Sequence, residues 1–180
     1  MPETIVAVVV AVVLQILPAS KVDKGEEPSV RQARVERVVR AAVAAAQTRY
    51  ALSLLLADAD AETHMASHVV EGHCERMPDD DCDHGRARGV WQVHPWCRTA
   101  YAFPAGSDES MAEEARCAMR QMWHGMHRCR EHAATPFHGA FAALAARPCS
   151  WSGAEKRVRL AFRIDAALER AGVPEPAAER

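Results

Sequence analysis

Aromatic residues, glycine and an excess of either charge are all scarce in this chain, and each scarcity excludes something. Ten aromatics and nine glycines in 180 residues, set beside long stretches of Ala, Leu, Val, Arg and Glu, disfavour a sheet and favour helices. The 22 basic and 24 acidic side chains leave a formal net charge of -2, so no long-range field draws the protein to nucleic acid or anionic lipid. A balanced charge with 49% hydrophobic residues also excludes intrinsic disorder. No apolar run reaches the roughly 20 residues of a comfortable membrane span. Neither Cys-x-x-Cys nor His-Glu-x-x-His occurs, which removes the sharpest zinc signatures. What is left is one compact, mainly α domain, expected as a monomer, that binds by local chemistry.

The longest apolar stretch, Thr4 to Leu17, is interrupted only by Thr4 itself and Gln15. Pro18, Ala19 and Ser20 supply small residues where a signal-peptide cleavage site would lie, but no Lys or Arg precedes the run and Glu3 is acidic. Residues 1–20 are therefore open to three readings: a removable signal peptide, an anchor that associates with a membrane through residues 4–17, or a buried helix of the fold. Residues 21–29 carry Lys, Asp, Gly, Glu and Pro without apolar periodicity and read as a linker. The domain is expected over 30–171, with a frayed tail over 172–180.

Within that domain, apolar spacing of three and four predicts a helix through Val35, Val38, Val39, Ala42, Val43 and Ala46. A second runs from about Thr48 to Glu62, with Leu52, Leu55, Leu56 and Ala59 on its stripe and Asp58 beside it. After Met65 the pattern gives way to an acidic stretch, Glu71 to Arg88, long enough to be read as a functional loop. Ser107 followed by two acids marks an N-cap, opening a helix to about His132 whose apolar face is Met111, Ala115, Ala118, Met119, Met122 and Met126. A short helix over Phe137 to Ala146 and a last one over Ala154 to Ala171 follow, the latter with Val158, Ala161, Phe162 and Leu168 inward.

Six cysteines form an even set in the middle of the chain, the usage of an oxidising compartment. Cys117 and Cys129 lie twelve residues apart on one predicted helix, about 18 Å at 1.5 Å per residue, so they cannot pair with each other. Cys74 with Cys82, Cys97 with Cys117 and Cys129 with Cys149 is one of about fifteen connectivities that six cysteines allow, and it would staple the acidic loop.

Two short segments carry arguable chemistry. The second helix ends in Ala61, Glu62, Thr63, His64 and Met65, and a turn farther on reads Gly89, Val90, Trp91, Gln92 and Val93. In this order the chain resembles the lysozyme-like superfamily, in its soluble lytic transglycosylase and goose-type lysozyme branch. There a helix of small and apolar residues ends in a Glu followed by Ser, and a downstream turn has Gly, an apolar pair, Gln and Ile or Leu. The resemblance is strongest over residues 50 to 97. It implies a lysozyme-like helical domain with a long disulfide-stapled active-site loop, Glu62 as catalytic acid, and Gly89 and Gln92 shaping the groove, with Trp91 and His94 beside them against substrate. Two departures stand out: Thr63 replaces the Ser, and where many relatives carry a Tyr-Asn motif this chain reads Phe141, Ala142, Ala143, Leu144, Ala145 and Ala146.

The layout suits the chemistry. Breaking a glycosidic bond requires a carboxylic acid that stays neutral near working pH. A Glu at the negative end of a buried helix, against an apolar wall, meets that need, and a raised pKa is the expectation for Glu62; the known precedent for such an acid is itself a lysozyme. A second carboxylate would come from the loop, where Glu71, Glu75, Asp79, Asp80, Asp81 and Asp83 are the choices, with Glu71 and Asp79 carried forward. A single-acid mechanism, with assistance by the substrate's N-acetyl group, needs none of them. Neither metal nor organic cofactor is required. The resemblance makes peptidoglycan glycan strands the partner and an extracytoplasmic location, or a phage-encoded lysin, the setting.

Other readings stand beside this one. Trp91, Trp96 and Tyr101 are either stacking platforms for sugar rings or core, with Trp91 leaning to core. Gln92, flanked by residues of buried type, is expected to face a cavity. His64 and His68, with His124, His127, Cys129 and His132, offer a zinc module as the second class of function. A disulfide-stapled domain that binds glycan or protein without catalysis is the third.

Overall fold

A computed structural model describes residues 3–73, 87–132 and 135–175. Among them the chain is mainly helical, with seven α-helices and no strand: α1 Glu3–Ile16, α2 Pro28–Ala45, α3 Arg49–Thr63, α4 Ser67–Val70, α5 Asp108–Cys129, α6 Pro136–Leu144 and α7 Gly153–Arg170. One-turn 3-10 helices occupy Lys21–Asp23 and Ala100–Ala102.

The apolar stripes behave as their spacing requires. Val38, Val39 and Ala42 of α2, Leu55, Leu56 and Ala59 of α3, and Ala115, Ala118 and Met122 of α5 are fully buried in one shared core. The caps are where sequence places them: the Thr48 hydroxyl accepts from the Ala51 amide at 2.9 Å and the Ser107 hydroxyl from the Ser110 amide at 3.1 Å, each satisfying an amide that has no partner within its helix. Two bridges of the expected connectivity tie the second half together, Cys97 to Cys117 and Cys129 to Cys149, with Cα atoms 6.2 and 5.4 Å apart. The pairing of Cys74 with Cys82, and with it the stapled acidic loop, lies outside the described residues.

The structure adds to the sequence reading in three places. First, residues 3–16 form α1 and pack against α2 and α7, with Val9 and Val13 closed from solvent. No helix among the described residues is long and apolar enough to cross a membrane.

Second, residues 21–29 are more than a linker. Asp23 is buried, and its carboxylate accepts from Arg34 of α2 at 3.1 Å and from the Ser67 hydroxyl of α4 at 2.6 Å. Arg34 also pairs with Glu26 and donates its Nε to the Met65 carbonyl at 2.9 Å. Polar composition hid this, since buried charges that are mutually satisfied look like solvent-exposed ones in a sequence. The network pins the chain just after α3, which matters because Glu62 stands there. Arg34→Ala leaves Asp23 and Glu26 without their cation and is expected to cost about 3 kcal/mol of unfolding free energy in urea denaturation; a loss of only a few tenths would mean that the pair is solvated.

Third, Phe162 of α7 does not enter the core. It is exposed and meets Phe137 and Tyr50 at ring-centroid distances of 5.7 Å each, an aromatic cluster at the surface.

Candidate active site

The end of α3 is held in an unusual conformation for residues with side chains: His64 and Met65 both adopt the left-handed region, at φ 49° and 50°. His64 is the C-cap, its amide bonded to the Asp60 carbonyl at 2.9 Å, a capping geometry usually given to glycine or asparagine. Thr63 explains how the turn is tied down. Its hydroxyl lies 3.0 Å from the Ala59 carbonyl and 3.3 Å from the Val90 carbonyl, and accepts from the Met65 amide at 3.2 Å. A hydroxyl at this position therefore couples the helix end to the Gly89 turn, so the two motif halves meet in space.

Trp91 strengthens that joint. It is buried and donates its indole N–H to the Leu55 carbonyl of α3 at 3.0 Å, so it belongs to the core as expected, while one edge reaches the cleft described below. Around it, Arg88 and Val93 exchange two backbone hydrogen bonds of 3.0 Å, and Gln92 sits in the left-handed region at φ 46° with its side-chain Nε2 donating to the Gly89 carbonyl at 2.8 Å. The Gln92 amide thus closes its own turn as well as facing the cleft.

Gly89 does not itself line the cleft; it backs onto Glu114 of α5. A Cβ at Gly89, whose φ is +71°, would stand 1.8 Å from Glu114 Oε2. Glu114 is buried, accepts from the Ser110 hydroxyl at 2.8 Å, and has Arg88 Nε 3.6 Å from its Oε1. Burial pushes its pKa up to about 7 against the pull of Ser110 and Arg88. Its register, in line with Met111, Ala115 and Ala118, was the signal available in the sequence for a buried acid.

The sign of its pH effect follows. A carboxyl whose folded pKa exceeds 4.5 and reaches about 7 favours the fold when protonated, so its contribution is full below about 4.5 and is lost as pH rises through about 7. Glu114→Gln is therefore expected to be relatively more stable than the parent at pH 7.5 than at pH 4.5, by a margin of order 1 kcal/mol or more, in paired urea titrations. An equal effect at both pH values would refute the assignment.

The cleft itself, about 690 Å³, is lined by Glu62, Trp91, Gln92 and His94 and by the half-exposed Trp96. Residues 143–147, Ala87, Gln121, Arg128, Trp151 and Arg157 share the lining. Four expected site residues are thus brought together, and the segment that lacks Tyr and Asn lies against them. Glu62 is the one acid among the described residues lining this cleft. Glu71 is not brought there: it is exposed at the end of α4, where its backbone packs against Gly106. Asp79 lies outside the described residues, as do Glu75, Asp80, Asp81 and Asp83. Tyr101 does not line this cleft; its hydroxyl donates to the Val93 carbonyl at 2.9 Å and its ring lies under Arg88.

The dry wall expected for Glu62 belongs instead to Asp58, one turn earlier. The side chain of Glu62 keeps 24% of its surface open, and that of Asp58 keeps none. Both carboxylates accept from the same atom, Arg157 Nη1 of α7, which lies 2.9 Å from Asp58 Oδ1. Burial and the nearby Glu62 push the Asp58 carboxyl well above the usual carboxylate range, with Arg157 opposing them. Arg157 in turn lies over the Trp151 ring at 5.2 Å, a stacking that fixes its plane. Neither Asp58 nor Arg157 was singled out as functional: the acid looked like a polar neighbour of the α3 stripe, and nothing local marks an arginine ninety-five residues away in sequence from Glu62.

For the zinc reading, Cys129 is bound to Cys149 and has no thiolate to give, and the described residues hold no group of three or more His, Cys, Asp or Glu placed to share a metal ion. Comparison with family models, with curated proteins and with solved structures finds no match to this chain.

Proposed function

We propose that this protein is a peptidoglycan-cleaving glycosidase, a lytic transglycosylase or lysozyme acting on the β-1,4 bond between N-acetylmuramic acid and N-acetylglucosamine, on a lysozyme-like helical fold. The observation that carries the reading is the convergence of Glu62, Trp91, Gln92 and His94 on one cleft, from two segments separated by more than twenty residues. A cleft of about 690 Å³ is of the size that encloses a small ligand such as one or two sugar rings.

In this reading Glu62 donates a proton to the leaving glycosidic oxygen and then serves as base. With one acid on the cleft wall among the described residues, the substrate's N-acetyl group supplies the nucleophilic assistance that a second carboxylate would otherwise give. Trp96 at the rim offers an apolar face to a sugar ring. Two disulfides are compatible with an extracytoplasmic setting.

The test is incubation of the purified protein with isolated peptidoglycan sacculi, followed by mass spectrometry of the released muropeptides. Fragments ending in a reducing or 1,6-anhydro muramic acid support the reading and identify the product. Retention on sacculi with no released fragment would replace it with a glycan-binding module, and neither binding nor release would remove peptidoglycan as the partner.

A further inference from the structure

Two carboxylates on one guanidinium form an arrangement that the proposed acid chemistry alone does not require. Asp58 and Glu62 stand one turn apart on α3, and both reach Arg157 Nη1. Asp58 is closed from solvent, and its second oxygen, Oδ2, has no hydrogen-bond partner among the described residues. With both acids ionised the trio would carry one uncompensated negative charge, half of it on a group with no water to spread it into.

We propose that Asp58 is a positioning residue for Glu62, acting through the guanidinium they share, so that the two acids and Arg157 hold one proton as a unit. The inference rests on the glycosidase reading for its catalytic consequence, but the coupling itself is a property of the three side chains.

The argument is one of charge and burial. Arg157 can neutralise one carboxylate. When Asp58 is ionised it takes that charge, and a proton on Glu62 is then the arrangement with least net charge in the dry part of the site. When Asp58 holds the proton, Arg157 serves Glu62. Ionising both leaves like charges one helical turn apart, which is the condition for coupled titration. Other charged groups line the spaces beside the trio. Arg128 of α5, Arg147 and His94 line the cleft that Glu62 faces, while Asp60 and His64 at the end of α3, with Lys156, Arg159 and Arg163 of α7, line a second cavity of about 640 Å³ that also includes Arg157. Asp60 is paired with His64 at 3.3 Å and Arg159 with Glu155 at 2.8 Å. From the end of α1 and the residues after it, this second cavity receives Ile16, Leu17 and Pro18.

Arg157 and Trp151 line both spaces, and the guanidinium lies over the Trp151 ring.

The experiment follows side-chain carboxyl carbon shifts of Asp58 and Glu62 by NMR across pH 3 to 10 in the full chain, beside the pH profile of kcat/KM on peptidoglycan. In the parent, both carboxyls are expected to respond at the same two pH values, as a pair does. In Asp58→Asn, the carboxyl signal of Glu62 is expected to lose the step it shares with Asp58, and the limb of kcat/KM that reports that step to disappear with it. Arg157→Gln is expected to displace the Asp58 step toward higher pH, since the guanidinium opposes its rise. A role in folding alone would lower activity at every pH and leave the limbs in place. Independent single-step titrations in the parent would overturn the proposal, and this measurement needs no variant to fold. If the parent releases no muropeptide yet shows the coupled titration, the glycosidase reading fails and the coupling stands; if it is active with uncoupled carboxyls, the reverse holds.

Discussion

Glu62→Gln is expected to abolish release of muropeptides from sacculi, with a loss of about 100-fold to 10,000-fold in turnover, the range contributed by a positioned general acid. The amide keeps the shape of the side chain and can still face the cleft, but it has no proton to give to an alkoxide leaving group. The fold should survive. Glu62 is partly open to solvent and its ion pair with Arg157 is backed by Asp58, so the loss of one partner leaves the cation paired, and the cost in unfolding free energy should stay within about 1 kcal/mol. Unchanged turnover in a folded Glu62→Gln protein would remove this residue from the mechanism, and with it the resemblance on which the mechanism was built.

Gly89→Ala carries the largest expected effect on stability. The position combines two demands that a methyl group cannot meet. Its φ of +71° lies in the left-handed region, and the added Cβ would fall 1.8 Å from a buried carboxylate oxygen of Glu114. The first costs about 1 kcal/mol for an L-residue. The second forces Glu114 away from Ser110 and Arg88, and a buried acid stripped of partners costs about 3 kcal/mol more. The turn that carries Trp91 and Gln92 moves with it, so cleft binding should be lost together with stability. A double-mutant cycle separates the two terms: in a Glu114→Ala background the clash is absent, and Gly89→Ala should cost only the left-handed penalty of about 1 kcal/mol. Additive effects in the cycle would show that Gly89 and Glu114 do not press on each other.

These two residues illustrate how much of the site was legible beforehand. Glu62 could be read because a carboxylate ending an apolar helix is a local pattern, and Gln92 because a Gly-x-x-Gln turn is another. Gly89 was read as shaping the groove, yet its constraint comes from α5, and a glycine does not announce which neighbour crowds it. Glu71 looked like a competing acid on grounds of chain distance; the short α4 carries it away from the cleft. The acidic loop that would hold a second carboxylate falls largely outside the described residues.

Helix boundaries, caps and the cysteine pairs that could be checked follow from interactions within about four residues or from the reach of a disulfide, and such short-range rules are written directly into residue order. The mainly helical class and the apolar faces of α2, α3 and α5 were settled by the sequence for that reason. Charge partnerships were not. That Asp23 would sink beside Arg34, that α1 would complete the core, and that Asp58 and Glu62 would share Arg157 depended on which helices came to lie side by side, because a buried ion pair is made by two surfaces meeting and either surface alone reads as one meant for water.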